Sequence, residues 1–185
     1  MADSAARRLI LLRHAKSAWP SVPDHERPLA PRGRRDAPLA GRWLRDAGYL
    51  PDQVVCSTAR RARQTWELVR DGLGTAPPER YDDDVYAATA ADLLRLTRRE
   101  PAAVGTLLLV GHNPGMQELA LLLAGRGGVP GEGVPGEGAA GAYARLRVKF
   151  PTAAIAVLLA AGTWDELAPG AGVLSAFVTP RDLQG

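Results

Sequence analysis

Apolar residues fall along the chain in short runs: Leu9–Leu12, Val54–Cys56, Leu107–Val110, Ile155–Leu159 and Val173–Val178. The first, third and fourth are unbroken by polar positions, the pattern of strands covered on both faces. Between the runs the spacing becomes helical. Ala59, Ala62, Trp66, Val69 and Leu73 step by three and four residues, an apolar stripe that closes near Gly72 and Gly74. Ala37, Ala40, Leu44 and Ala47 predict a second helix before Gly48, with Pro38 confining its regular part to the C-terminal side. Thr89 and Asp92 have the spacing of a capping box ahead of Leu93, Leu94 and Leu96. Gly115 to Ala124 reads as a further helix, with Pro114 suited to its first turn.

Strands that alternate with helices predict an α/β three-layer sandwich: a mostly parallel central sheet with helices on both faces. The last two runs have no helical pattern between them, so they are expected to pair as a hairpin and add an antiparallel C-terminal strand. Residues 126–142 contain VPGEG twice in tandem, at 129–133 and 134–138, and read as a Gly/Pro-rich surface loop. With 185 residues, the chain 1–185 is expected to form one domain.

Composition narrows the class. The 23 basic and 20 acidic residues leave a formal charge of only +3, too small an excess to imply nucleic-acid binding. One cysteine, Cys56, rules out an internal disulfide framework. Arg7-Arg8 precedes an apolar run too short for an export signal, and no stretch reaches the roughly 20 apolar residues of a membrane span. A cytoplasmic protein with no membrane partner is expected.

The chemistry sits at strand ends, where open α/β sheets bind ligands. The first strand runs into Arg13-His14. The second ends at Cys56-Ser57 and opens a helix whose first turns hold Arg60, Arg61 and Arg63. The third delivers His112, then Asn113-Pro114-Gly115 at a helix start. Two imidazoles and several guanidiniums at one sheet edge, beside free helix N-termini, suit a phosphoryl group. Helical spacing alone does not choose among the three arginines. Taken singly, an Arg-His pair is a solvated strand end and His112 is turn chemistry; their shared location is the signal.

These residues resemble the histidine phosphatase (phosphoglycerate mutase-like) superfamily. Arg13-His14-Ala15-Lys16-Ser17 is similar to its RHG-x-S signature, and Arg27-Pro28-Leu29 with Gly33 to its L-T-x-x-G segment. Ser57 through Thr65 resembles S-x-x-x-R-A-x-Q-T, which selects Arg61, and Gly111-His112 matches the second histidine. The small size and the Arg-Pro-Leu form look most like the SixA-type phosphohistidine phosphatases, as does the segment Pro151-Thr152-Ala153, more distantly. Ala15 replaces a glycine, proline is missing after Ser57, and the double VPGEG has no assigned counterpart.

The resemblance implies a metal-independent phosphatase with no cofactor. His14 would be the nucleophile, passing through a phosphohistidine intermediate, and Arg13, Arg61 and a protonated His112 would bind the phosphoryl oxygens. The expected partner is a phosphohistidine-bearing protein. The alternatives are a small phosphorylated molecule such as a nucleotide or sugar phosphate, and a phosphate-binding module without turnover. Many relatives carry a glutamate as general acid. Here the best positional match is Asp84, in an acidic segment that reads more readily as a solvated turn, and the lack of a clear glutamate favours a P–N substrate. Asp24 and Arg27 form either a structural ion pair or part of the phosphate site. His25 and Lys16 are expected at the surface and Cys56 as a buried, inert thiol. A metal hydrolase is disfavoured, because no histidine and carboxylate share ligand spacing on one element.

Overall fold

The computed structural model describes residues 6–124 and 139–184. One six-stranded sheet organises them: β1 (Arg7–Arg13), β2 (Gln53–Ser57), β3 (Glu79–Asp82), β4 (Thr106–Gly111), β5 (Ile155–Ala160) and β6 (Gly172–Val178), in the order β3-β2-β4-β1-β5-β6. β1, β2, β3 and β4 pair in parallel, β5 runs antiparallel to β1, and β6 antiparallel to β5. The mostly parallel sheet and its antiparallel C-terminal addition agree with the sequence pattern.

The unbroken apolar runs exist because both faces of the sheet are covered. Ile10 and Leu12 of β1 pack with α1 (Pro31–Asp46) and α2 (Arg60–Leu73), while Leu9 and Leu11 point to α3 (Ala90–Thr97), α4 (Gly115–Ala124) and α5 (Ala139–Val148). Helix ends follow local chemistry. Thr89 and Asp92 form the reciprocal capping box ahead of α3, and Gly74 closes α2 at φ 74°.

Three expectations are corrected. α1 does not begin after Pro38 but runs through it from Pro31. The close approach of α2 explains why: a Cβ on Gly41 would lie 2.0 Å from the Val69 carbonyl oxygen, and one on Gly72 would lie 2.4 Å from that of Pro38. Backbone-to-backbone packing of this kind holds the helix despite the hydrogen bond proline removes. Second, β3 was not foreseen, since its residues Glu-Arg-Tyr-Asp carry no apolar run; as an edge strand it needs none. Third, of the expected loop 126–142, residues 139–142 are the first turn of α5, and 126–138 lie outside the described residues. Among the described residues, no helix is long and apolar enough to cross a membrane.

Candidate active site

The parallel strands end at one edge of the sheet, and register fixes what meets there. Arg13 pairs with Gly111 across β1 and β4, so His14 and His112, the next residue of each chain segment, emerge side by side. Their ring centroids are 5.1 Å apart at an interplanar angle of 51°. Both are buried, at 8% and 7% exposure.

Each imidazole has a defined partner. The Nδ1–H of His14 donates to the Ala15 carbonyl at 2.8 Å. A carbonyl only accepts, so in the neutral ring the proton sits on Nδ1 and the lone pair on Nε2. The ring is neutral: burial first, then the neighbouring His112, press its pKa down to about 3, with Arg61 and Arg13 adding to the effect. His112 Nε2 lies 2.7 Å from Ser57 Oγ, which also accepts the Ala59 amide at 3.3 Å. Donation from the Ser57 hydroxyl to Nε2 satisfies both groups without a further acceptor, and leaves the proton of His112 on Nδ1. That atom is buried and has no hydrogen-bond partner among the described residues. Burial, then the Arg61 charge, lowers the pKa of His112 to about 4. Apolar burial and the neighbouring guanidiniums thus hold the His112 ring neutral, since both oppose a second cation.

Burial also separates the three arginines. Arg61 is 6% exposed, whereas Arg60 and Arg63 face solvent. Its guanidinium donates to the carbonyl oxygen of Asp24 at 2.6 Å and to its carboxylate at 2.9 Å. The same carboxylate receives Arg27 at 2.9 Å and the Tyr86 hydroxyl at 2.8 Å. Hydrogen bonds from Tyr86, Arg27 and Arg61 hold Asp24 well below the usual carboxylate range. Tyr86 in turn sets its ring edge-on to His112, with centroids 5.5 Å apart. Arg13 points its guanidinium to the Phe150 carbonyl at 2.8 Å, while the Ala153 amide is shared between the carbonyls of Arg13 and His14 at 3.1 Å.

Other motif residues hold this arrangement in place. Thr65 Oγ1 accepts the Ala15 amide at 2.9 Å, and Gln64 accepts that of Leu29 at 2.8 Å, tying the segment after β1 to α2. A Cβ at Gly33 would stand 2.2 Å from the Lys16 carbonyl oxygen, which accounts for glycine there. Ala15 does not take positive φ, so its substitution for glycine carries no backbone strain.

The structure thus gathers Arg13, His14, Arg61 and His112 at one edge. Asp84 is not among them: it lies in a 3-10 turn over Asp83–Val85 and lines a polar cleft with Asp83, Arg95 and Arg99. Asp24 with Arg27 is both an ion pair and a neighbour of the site. Lys16 is exposed and Cys56 is buried, with burial pushing its thiol up. His25 is more engaged than expected, bonded to Glu26 and Thr58 and packed edge-on against Tyr86. Sequence reasoning missed Ser57 and Tyr86 as site neighbours. Ser57 stood at a strand end inside a recognised motif, while nothing local marked Tyr86. Among the described residues, no group of three or more His, Cys, Asp or Glu side chains is placed to hold a metal ion.

A family model, histidine phosphatase superfamily (branch 1), matches residues 9–84. The uncharacterized protein Rv1276c of Mycobacterium tuberculosis is 45% identical over 171 residues, covering 92% of this chain and 100% of that protein. Among solved structures, SixA from Nakamurella multipartitia superposes with a TM-score of 0.76 at 35% identity, over 95% of this chain and 96% of that one. SixA from Agrobacterium tumefaciens gives 0.75 at 30% identity, over 94% and 98%.

Proposed function

Since the chain belongs to the histidine phosphatase superfamily, and is a phosphatase by that membership, we propose that it removes phosphoryl groups from phosphohistidine in proteins through a phosphohistidine intermediate on His14. The observation that carries this reading is the protonation of His14. Its Nδ1–H is tied to the Ala15 carbonyl, its pKa near 3 keeps it neutral, and Nε2 is left as a free lone pair beside a second imidazole.

In the first step, His14 Nε2 attacks phosphorus in line. The new N–P bond forms as the N–P bond of the substrate breaks, and the substrate ring, protonated on its other nitrogen, departs as neutral imidazole. In the second step, water attacks the phosphoryl group, the Nε2–P bond breaks and inorganic phosphate leaves. Arg13 and Arg61 hold the equatorial oxygens through planar, charge-assisted hydrogen bonds, and His112 donates from its unpaired Nδ1–H. Positioning and charge stabilisation supply the catalysis, with no metal or cofactor needed for either step.

The carboxylates near the cluster support a P–N substrate over an ester. An alkoxide leaving group needs a protonated acid close by. Asp24 is held ionised by three donors and so is no proton donor. The two SixA relatives carry the name phosphohistidine phosphatase.

The test is to trap phosphate on the protein during turnover and to compare donors. A phosphorylated histidine phosphotransfer protein should give an acid-labile phosphoenzyme and a higher kcat/KM than a panel of sugar and nucleotide monoesters. His14→Ala should abolish both the phosphoenzyme and turnover. Preference for an ester would shift the assignment to small molecules. Saturable phosphate binding without any phosphoenzyme would leave a recognition module.

A further inference from the structure

Beside the imidazole cluster lies a second concavity that neither catalytic step uses. It has a volume of about 650 Å³ and is walled by the C-terminal end of α5 and the residues after it, by the segment following β6, and by Arg32 at the start of α1. Its surface combines two characters. Val148 is 85% exposed, an unusual position for a large aliphatic side chain, and Pro151 and Pro180 extend the apolar lining. Lys149 and Arg181 are exposed on its walls, and neither has an acidic partner within ion-pair distance among the described residues. The one lining acid, Asp182, is occupied by Arg145 at 3.0 Å and by the Thr179 amide at 2.7 Å. The cleft is therefore apolar with a positive rim.

It is also fastened to the phosphoryl site. Phe150 accepts the Arg13 guanidinium, and Ala153 donates to the carbonyls of Arg13 and His14. The lining residues Pro151 and Thr152 lie between these two anchors. With about 3.8 Å between successive Cα atoms, the lip of the cleft at Thr152 is one residue from Ala153, whose amide donates to the carbonyl of the nucleophile at 3.1 Å.

We propose that this cleft docks an acidic, partly apolar segment of the phosphoprotein substrate, holding the polypeptide while its phosphohistidine enters the imidazole cluster. The proposal rests on the protein-phosphohistidine reading above. The volume is that of a site for several side chains, and a positive rim steers an acidic segment and rejects a basic one. A single-stranded nucleic acid is the poorer occupant, because it binds through exposed aromatic stacking faces. The only aromatic ring in the lining is Phe177, which is 1% exposed.

The experiment uses the full chain and a fluorescent 14-residue peptide carrying one histidine and four glutamates, together with the same peptide bearing glutamine in place of glutamate. Anisotropy with the unphosphorylated peptides reads docking independently of turnover. The Glu peptide should bind at least fivefold more tightly than the Gln peptide, and the preference should vanish in Lys149→Glu/Arg181→Glu. With the phosphohistidine form of the Glu peptide, this variant should lose about tenfold in kcat/KM through KM, while keeping free phosphohistidine turnover within twofold. The neutral pair Lys149→Gln/Arg181→Gln should fall between. Equal binding of the two peptides, or an unchanged preference in the variant, overturns the docking proposal even if phosphohistidine is hydrolysed. A twelve-nucleotide single strand that binds more tightly than the Glu peptide and loses that binding in the variant also overturns it. Peptide binding that obeys these expectations without phosphohistidine turnover leaves docking intact and removes the catalytic reading instead.

Discussion

Acid should destabilise this protein through two named side chains. His14 and His112 have folded pKa values near 3 and 4, against 6.5 in an unfolded chain. Between those limits the unfolded imidazole binds a proton that the folded one refuses. Unfolding therefore takes up protons, and stability rises with pH across the window. The contribution is fully present above 6.5 and is lost as pH falls towards the folded values. At pH 5, about 1.5 pH units below the unfolded value, each ring costs about 2 kcal/mol at 1.36 kcal/mol per unit. Together they remove about 4 kcal/mol, a large share of the roughly 5–15 kcal/mol that holds a domain folded. The comparison is urea denaturation at pH 8 and pH 5, followed by circular dichroism, for the wild type and for His14→Asn/His112→Asn. The substituted protein lacks both buried imidazoles, so its stability difference between the two pH values should be smaller by about 4 kcal/mol. Equal differences, within about 1 kcal/mol, would show that the two rings are not held neutral by burial, and the protonation assigned to His14 would fall with them.

Four further outcomes follow from the site. Arg61→Ala should lower kcat by about 10²–10³, as loss of one charge-stabilising donor does, and Arg61→Lys should restore little of it, since an ammonium cannot form the planar pair. Asp24→Asn should free Arg61 from its carboxylate partner and tighten inhibition by inorganic phosphate several-fold, read as Ki; a weaker Ki would contradict the picture of Asp24 competing for that guanidinium. Ser57→Ala should reduce kcat about tenfold with little change in KM, and should move the 15N signals of His112 while leaving those of His14 in place, because one hydrogen bond of about 1 kcal/mol or more orients that ring alone. Gly115→Ala would put a Cβ 2.1 Å from the Ala88 carbonyl oxygen; overpacking of that kind should cost about 1–3 kcal/mol in a denaturation midpoint.

The folded arrangement of Arg13, His14 and His112 was legible in the chain because it is made by register. A strand buried on both faces must be an unbroken apolar run, so Leu9–Leu12 and Leu107–Val110 announce themselves, and the residues that follow them must meet at one edge. The choice of Arg61 came only with the motif. Helical spacing left Arg60 and Arg63 as candidates, and burial on the packed face of α2 separates them in space. Edge strand β3 and the passage of α1 through Pro38 were not legible, since each depends on what lies alongside rather than on local pattern.

By itself, then, the sequence determined the layers, the strand ends and the residues they deliver, because hydrophobic period and strand pairing act over a few residues at a time. Only the tertiary structure decided the charge state of those residues. The neutral His112, the Asp24 carboxylate shared by Arg61, Arg27 and Tyr86, and the positive cleft around Val148 all join segments distant in the chain. A protonation state is set by burial and by neighbouring charge, and both come into being only when the chain has packed.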